Sequence, residues 1–133
     1  IGDLFFDCGG GDQLAFFWFV DAPPHAPGVA APTARPDQGD ARSAMGSMNH
    51  VAFSVPPEMI DEYRERLQKA GVDCSIVVNH DDSPMGVSAD LNDGVFVRSI
   101  YFQDPDGILL EFACWTRQLG PGDVAHEPAR ASS

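Results

Sequence analysis

Glu111 stands inside an apolar run, Leu109 to Trp115, where a carboxylate is costly unless it meets a base or a metal ion. The run belongs to a longer stretch, Val97 to Trp115, that reads VRSIYFQDPDGILLEFACW. Two apolar segments flank Asp104-Pro105-Asp106-Gly107, with Pro at the second position of a type I turn and Gly available for a left-handed bulge. This chemistry predicts a β-hairpin. A three-residue loop with Gly107 as the bulge pairs Asp104 with Ile108 and sets Tyr101 opposite Glu111. The phenol and the carboxylate then share one face, and Ile100, Phe102, Leu110 and Phe112 make the other face wholly apolar.

The element that brings a base to Glu111 lies upstream. Met48 to Val55 (MNHVAFSV) alternates, with Val51, Phe53 and Val55 on one face and His50, Ala52 and Ser54 on the other. Pro56-Pro57 starts a helix whose apolar stripe is Met59, Ile60, Tyr63, Leu67 and Ala70. Glu62 and Arg66 are spaced to pair across one turn, and Gly71 supplies the stop. The helix covers the Val51/Phe53/Val55 face, so His50 turns the other way. A third strand is predicted over Val72 to Val78, and a polar loop over His80 to Asn92. Residues 47–117 thus read as strand, helix and three strands, with His50, Tyr101 and Glu111 on the face away from the helix. An imidazole and a carboxylate on the first and last strands of one unit have the chemistry of a site for Zn, Fe, Mn, Co or Ni. The plainer alternative leaves His50 bonded to a backbone carbonyl and Glu111 paired with Arg98 or Arg117.

Residues 1–20 form a second, shorter pattern. Leu4 to Asp7 and Leu14 to Val20 flank a Gly9-Gly10-Gly11-Asp12 turn and predict another hairpin. It echoes the later one, with Trp18 at the position of Glu111. The hairpin reads as the end of an earlier unit whose front lies upstream of Ile1. Residues 21–46, rich in Pro, Ala and Gly, predict a connector extended over the surface, with His25 a solvated loop residue. Residues 118–133 predict a loosely packed tail, in which His126 has no visible partner.

At 133 residues and 44% hydrophobic, with nine Phe, the chain is long enough for one domain with a real core. Twenty acidic against eight basic residues give a net charge of −12. That balance argues against nucleic-acid or anionic-membrane partners, which demand a basic surface. Cys8, Cys74 and Cys114 are an odd count with no CxxC spacing, so free thiols in a reducing cytoplasm are expected. No stretch has the length of a transmembrane helix, and no basic, hydrophobic leader is present.

The HVAF start and the SIYFQDPDGILLEF end of the 48–116 unit resemble the vicinal oxygen chelate superfamily, which includes glyoxalase I, extradiol dioxygenases, and fosfomycin- and bleomycin-resistance proteins. Residues 3–20 resemble it more weakly. The resemblance implies an α+β fold of βαβββ units, whose paired sheets form a metal-binding cup. It implies His50 and Glu111 as metal ligands, with a further His upstream of Ile1, and Trp18 where many relatives keep a ligand. It also implies Tyr101 and Glu111 as catalytic residues. Trp18, Phe16 and Trp115 are expected to wall the substrate pocket, by ordinary core packing otherwise. A two-His-one-carboxylate shell with Fe(II) or Mn(II) points to a dioxygenase acting on a small aromatic or vicinal-oxygen substrate. Against it, the extradiol signature has a His shortly before its Tyr, and Leu91-Asn92-Asp93-Gly94 offers none; His80 lies too far upstream to match. The alternatives are a glyoxalase-like lyase or isomerase using Zn, Ni or Co, and a metal-free protein that sequesters a small molecule. A homodimer is expected.

Overall fold

In the computed structural model, residues 2–24 and 35–123 are described. The expectations for His25 and His126 lie outside them. β1 (Gly2–Gly9) and β2 (Asp12–Trp18) form an antiparallel hairpin that stands as its own two-stranded sheet. Its turn passes through Gly9, Gly10 and Gly11, all at positive φ, where a side chain would be strained.

The main sheet has five strands: β3 (Val51–Ser54), β4 (Val78–His80), β5 (Val87–Ser88), β6 (Val97–Gln103) and β7 (Leu109–Trp115). Their spatial order is β3-β7-β6-β4-β5. β3 runs parallel to β7, and the other neighbours are antiparallel. The sheet and its single helix, α1 (Ile60–Lys69), form the strand–helix–strands unit expected from the sequence.

The β6–β7 hairpin has the predicted register, with Tyr101 opposite Glu111 and Ile100 opposite Phe112. Asp104 N donates to Ile108 O at 3.0 Å and Gly107 N to Asp104 O at 3.0 Å, and Gly107 sits at φ +86°. Asp104 Oδ1 also accepts from the amides of Asp106 and Ile108, both at 2.9 Å. The turn is therefore held by backbone and side chain together.

Helix α1 covers one sheet face. Val55, Ile60, Ile100 and Cys114 make the buried core there, with Tyr63, Leu67 and Phe112 packed around it. Ile60 and Ile100 are fully buried, each contributing about 1.5–3 kcal/mol relative to exposure. The prolines give a short 3-10 turn at Pro57–Met59 before the α-helix, and Gly71, at φ +78°, ends it. Arg66 lies over the Tyr63 ring at 5.4 Å rather than pairing with Glu62, and the pair across one turn is Glu65–Lys69. Ala70 is exposed and leaves the apolar stripe.

Two further expectations change. The predicted strand over Val72 to Val78 reduces to one bridge, Cys74 with Phe102, and the regular strand comes later as β4. Ser75 interrupts it: its Oγ accepts from Tyr101 N and donates to Ile76 O, replacing ladder bonds with side-chain ones. The connector is not simply laid on the surface, since Arg35, Ser43 and Ala44 are buried. Arg35 is held by Asp37 and Asp73, at 3.0 and 3.1 Å. Cys74 and Cys114 are free thiols. Among the described residues no helix is long and apolar enough to cross a membrane.

Candidate metal centre

The sheet face away from α1 collects the polar side chains. His50 immediately precedes β3, and the parallel β3–β7 register aligns Ala52 with Glu111, so both ligand candidates come to the same edge of that face. His50 Nε2 lies 2.8 Å from Glu111 Oε2. Neither Arg98 nor Arg117 takes Glu111: Arg98 reaches Asp61 on the helix side and Arg117 holds Asp123. The period-two alternation of β6 puts Arg98 on the face opposite Tyr101, which is why it cannot serve.

Glu111 is 6% exposed. Burial pushes its carboxyl up, but the hydrogen bond and charge of His50, with Ser99 and His80 adding in the same sense, together hold it below its ordinary value. Tyr101 is equally buried, and burial, with the negative charge of Glu111 next, pushes its hydroxyl far above the ordinary phenol range. Its oxygen lies 3.1 Å from His80 Nε2, and its ring meets those of His50 and His80 edge-on at 5.9 and 6.3 Å. Ser99 Oγ sits near enough to ease ionisation of both Tyr101 and Glu111. Neither contact has hydrogen-bond geometry, so the hydroxyl is buried without a partner among the described residues.

The donor set fits a cation. His50 Nδ1 is 2.8 Å from Asn49 Oδ1 while Nε2 faces a carboxylate at the same distance. A neutral imidazole has one N–H and meets only one of these acceptors. Both contacts are satisfied by the imidazolium, or by a cation in place of the Nε2 proton. An unpartnered Ser99 hydroxyl beside this pair is also consistent with a ligand completing the site. Among the described residues no third His, Cys, Asp or Glu joins them to make a three-ligand cluster.

The aromatic walls are arranged differently from expectation. Phe17 is the ring beside His50, at 5.7 Å, and it stacks on Phe19 at 6.2 Å. Phe16 packs edge-on against Phe6 at 5.7 Å, and Trp18 shares its side of the strand by alternation. Neither is brought to His50. Trp115 shares the face of Glu111 but lies at the far end of β7, tilted against Phe96 at 6.2 Å. His80, Asn49 and Phe17 were missed in the sequence. For His80 the signal was the alternation Val78–Asn79–His80, which continues the strand into residues whose polarity reads as loop.

A family model of the glyoxalase/bleomycin resistance protein/dioxygenase superfamily matches residues 3–112. The chain belongs to this superfamily. The match runs through both the first hairpin and the strand–helix–strands unit that carries His50 and Glu111. Among solved structures, a genomically encoded fosfomycin resistance protein, FosX, from Listeria monocytogenes is similar at 31% identity, with a TM-score of 0.38. The similarity covers 53% of this chain and 48% of that one, so the chain spans about half the length of that protein. No curated protein sequence matches significantly. The superfamily's βαβββ fold is the one described above.

Proposed function

We propose that the chain is a metal-dependent vicinal-oxygen-chelate enzyme, with His50 and Glu111 as metal ligands and a dioxygenase-like activity on a small aromatic or vicinal-oxygen substrate. The observation that carries this reading is the 2.8 Å approach of His50 Nε2 to Glu111 Oε2 on a buried face shared with Tyr101. A divalent ion held there, Fe(II) or Mn(II) by choice of ligands and Zn, Ni or Co otherwise, supplies Lewis-acid chelation of two neighbouring substrate oxygens.

The chain's own residues do the rest. Tyr101 keeps its proton because its own burial, and next the charge of Glu111, disfavour ionisation, so it donates a hydrogen bond to an anionic substrate oxygen. His80 Nε2 touches the Tyr101 oxygen and holds the phenol in line. Phe17 covers His50 and excludes water on the hairpin side. Trp18, Phe16 and Trp115 are proposed as outer parts of the pocket wall.

A metal-free sequestering protein is the second reading, favoured by the direct His50–Glu111 contact and by the two-donor set among the described residues. Metal analysis separates the two. Under anaerobic, iron-supplemented conditions the enzyme reading expects bound metal in the wild type and its loss in His50→Ala and Glu111→Ala; a wild type without metal sinks it. Oxygen uptake with catechols then distinguishes a dioxygenase from a lyase or isomerase. A homodimer in the cytoplasm is the proposed setting, supported by the exposed Phe5, Phe6, Leu14 and Phe16 of the first hairpin and checked by light scattering.

A further inference from the structure

We infer that Asn49 is a positioning residue: it fixes the ring proton of His50 on Nδ1 and so presents Nε2 to the Glu111 side, and the connector segment Ala41–Ser43 holds Asn49 in that role. The inference rests on the proposed reading of His50 as a metal ligand only in its last step.

The donor count decides the direction of each bond. Asn49 Nδ2 donates to Ala41 O at 2.9 Å and lies 3.0 Å from Ser43 Oγ. A backbone carbonyl only accepts, so the amide nitrogen must face Ala41, and Asn49 Oδ1 is left facing His50 Nδ1 at 2.8 Å. An oxygen without protons calls for a hydrogen on Nδ1, as Glu111 Oε2 calls for one on Nε2, so Asn49 holds the Nδ1 proton and Nε2 is the nitrogen left for a cation to take. Flipping the amide would set Oδ1 against Ala41 O, two acceptors face to face, and lose the bond there. Ser43 is itself buried, and the next residue, Ala44, is buried with it and accepts from Ser47 N and Oγ in a tight turn. The grip on Asn49 is therefore built on packed backbone rather than on a free loop.

A second pull acts on the same ring. Glu111 Oε2, 2.8 Å from Nε2, favours a proton there, so without Asn49 a neutral ring would carry its hydrogen on Nε2 and block that nitrogen as a ligand. Asn49 opposes this. A ligating His whose other nitrogen donates to a fixed acceptor has its tautomer and ring plane set, and loss of such a partner typically costs about 10–100-fold in metal affinity. The stretch of chain with the composition of a spacer thus contributes the acceptor's anchor.

The test uses 15N-labelled full chain and two readouts: the His50 ring 15N shifts in metal-free protein at mildly alkaline pH, and Zn(II) affinity by competition with a chromophoric chelator. Wild type should keep Nδ1 in the protonated range. Asn49→Ala should move Nδ1 toward the unprotonated range with Nε2 taking the proton, and weaken Zn(II) by about 10–100-fold. Ser43→Ala, which removes one partner of the Asn49 amide nitrogen and leaves the acceptor in place, should shift Nδ1 in the same sense as Asn49→Ala but less. Unchanged Nδ1 shifts in folded Asn49→Ala, or a Ser43→Ala shift as large as that of Asn49→Ala, overturn the inference. If wild type binds no Zn(II) while the shifts behave as expected, the positioning role stands and the metal reading fails.

Discussion

Tyr101 carries a neutral hydroxyl into a site built around a carboxylate, and its burial gives a direct pH prediction. The ordinary phenol value is 10.0, and in the folded chain it is pushed far higher. A raised value means that below pH 10.0 the folded and unfolded chains are both protonated at this group, and its contribution to stability is intact. Above that pH the unfolded chain loses the proton first, and stability falls. Tyr101→Phe should flatten this alkaline loss in urea titrations, with the same-sign contributions of half-buried Cys74 and buried Cys114 remaining. A variant that denatures with base as steeply as wild type rejects the assignment. The same residue shows what was readable from the chain. Tyr101 and Glu111 were legible because turn chemistry fixes a register and a register fixes faces. Their neighbours were not: His80 reaches Tyr101 from a different strand, and no periodicity within β6 reports a ring that arrives from β4.

At the scale of elements, the β6–β7 hairpin was fully written in its turn, and β4 was not. Asp104-Pro105-Asp106-Gly107 dictates its own geometry, whereas the position of β4 depends on Ser75, whose hydroxyl competes for backbone bonds. The helix boundaries followed from Pro57 and Gly71, but the partner of Arg66 did not, because an aromatic face and a carboxylate were both within its reach. Gly107 gives the element-scale prediction. It sits at φ +86° with nothing within 4 Å of the place a Cβ would occupy, so Gly107→Ala meets backbone strain alone. The expected cost is about 1–2 kcal/mol in chemical denaturation, with metal binding retained because the register is also held by Asp104. Loss of binding with unchanged stability would contradict this account. Ile100→Ala, beneath α1, should cost more, about 2–5 kcal/mol, since a fully buried side chain leaves a cavity there.

For the whole molecule, composition bounded the answer without locating it. A charge of −12 over 133 residues implies self-repulsion in the compact state. Raising ionic strength from 0.01 to 1 M shortens the screening length from about 30 to about 3 Å, so the melting temperature should rise with salt. A melting temperature independent of chloride concentration would show that the charges are already locally paired. The first hairpin and the strand–helix–strands order were legible from turn residues and from prolines. The packing of residues 35–46 of the connector was not, since the role of this segment depends on single hydrogen bonds to Asn49 rather than on pattern.

The parallel pairing of β3 with β7 joins the first strand of the unit to its last. Such a contact closes the longest loop in the unit, and long-range pairings are made only after their entropy cost has been met by other structure. The β6–β7 hairpin and α1 are local, so they have no such wait. On these grounds His50 and Glu111 are expected to meet late in assembly and to part early in opening. Val55→Ala, just after β3, should accelerate unfolding in stopped-flow chevrons while leaving refolding nearly unchanged. Anything that bridges the imidazole and the carboxylate acts as a clasp on the two ends of the unit, and the lifetime of the folded state becomes a measure of whether that clasp is closed.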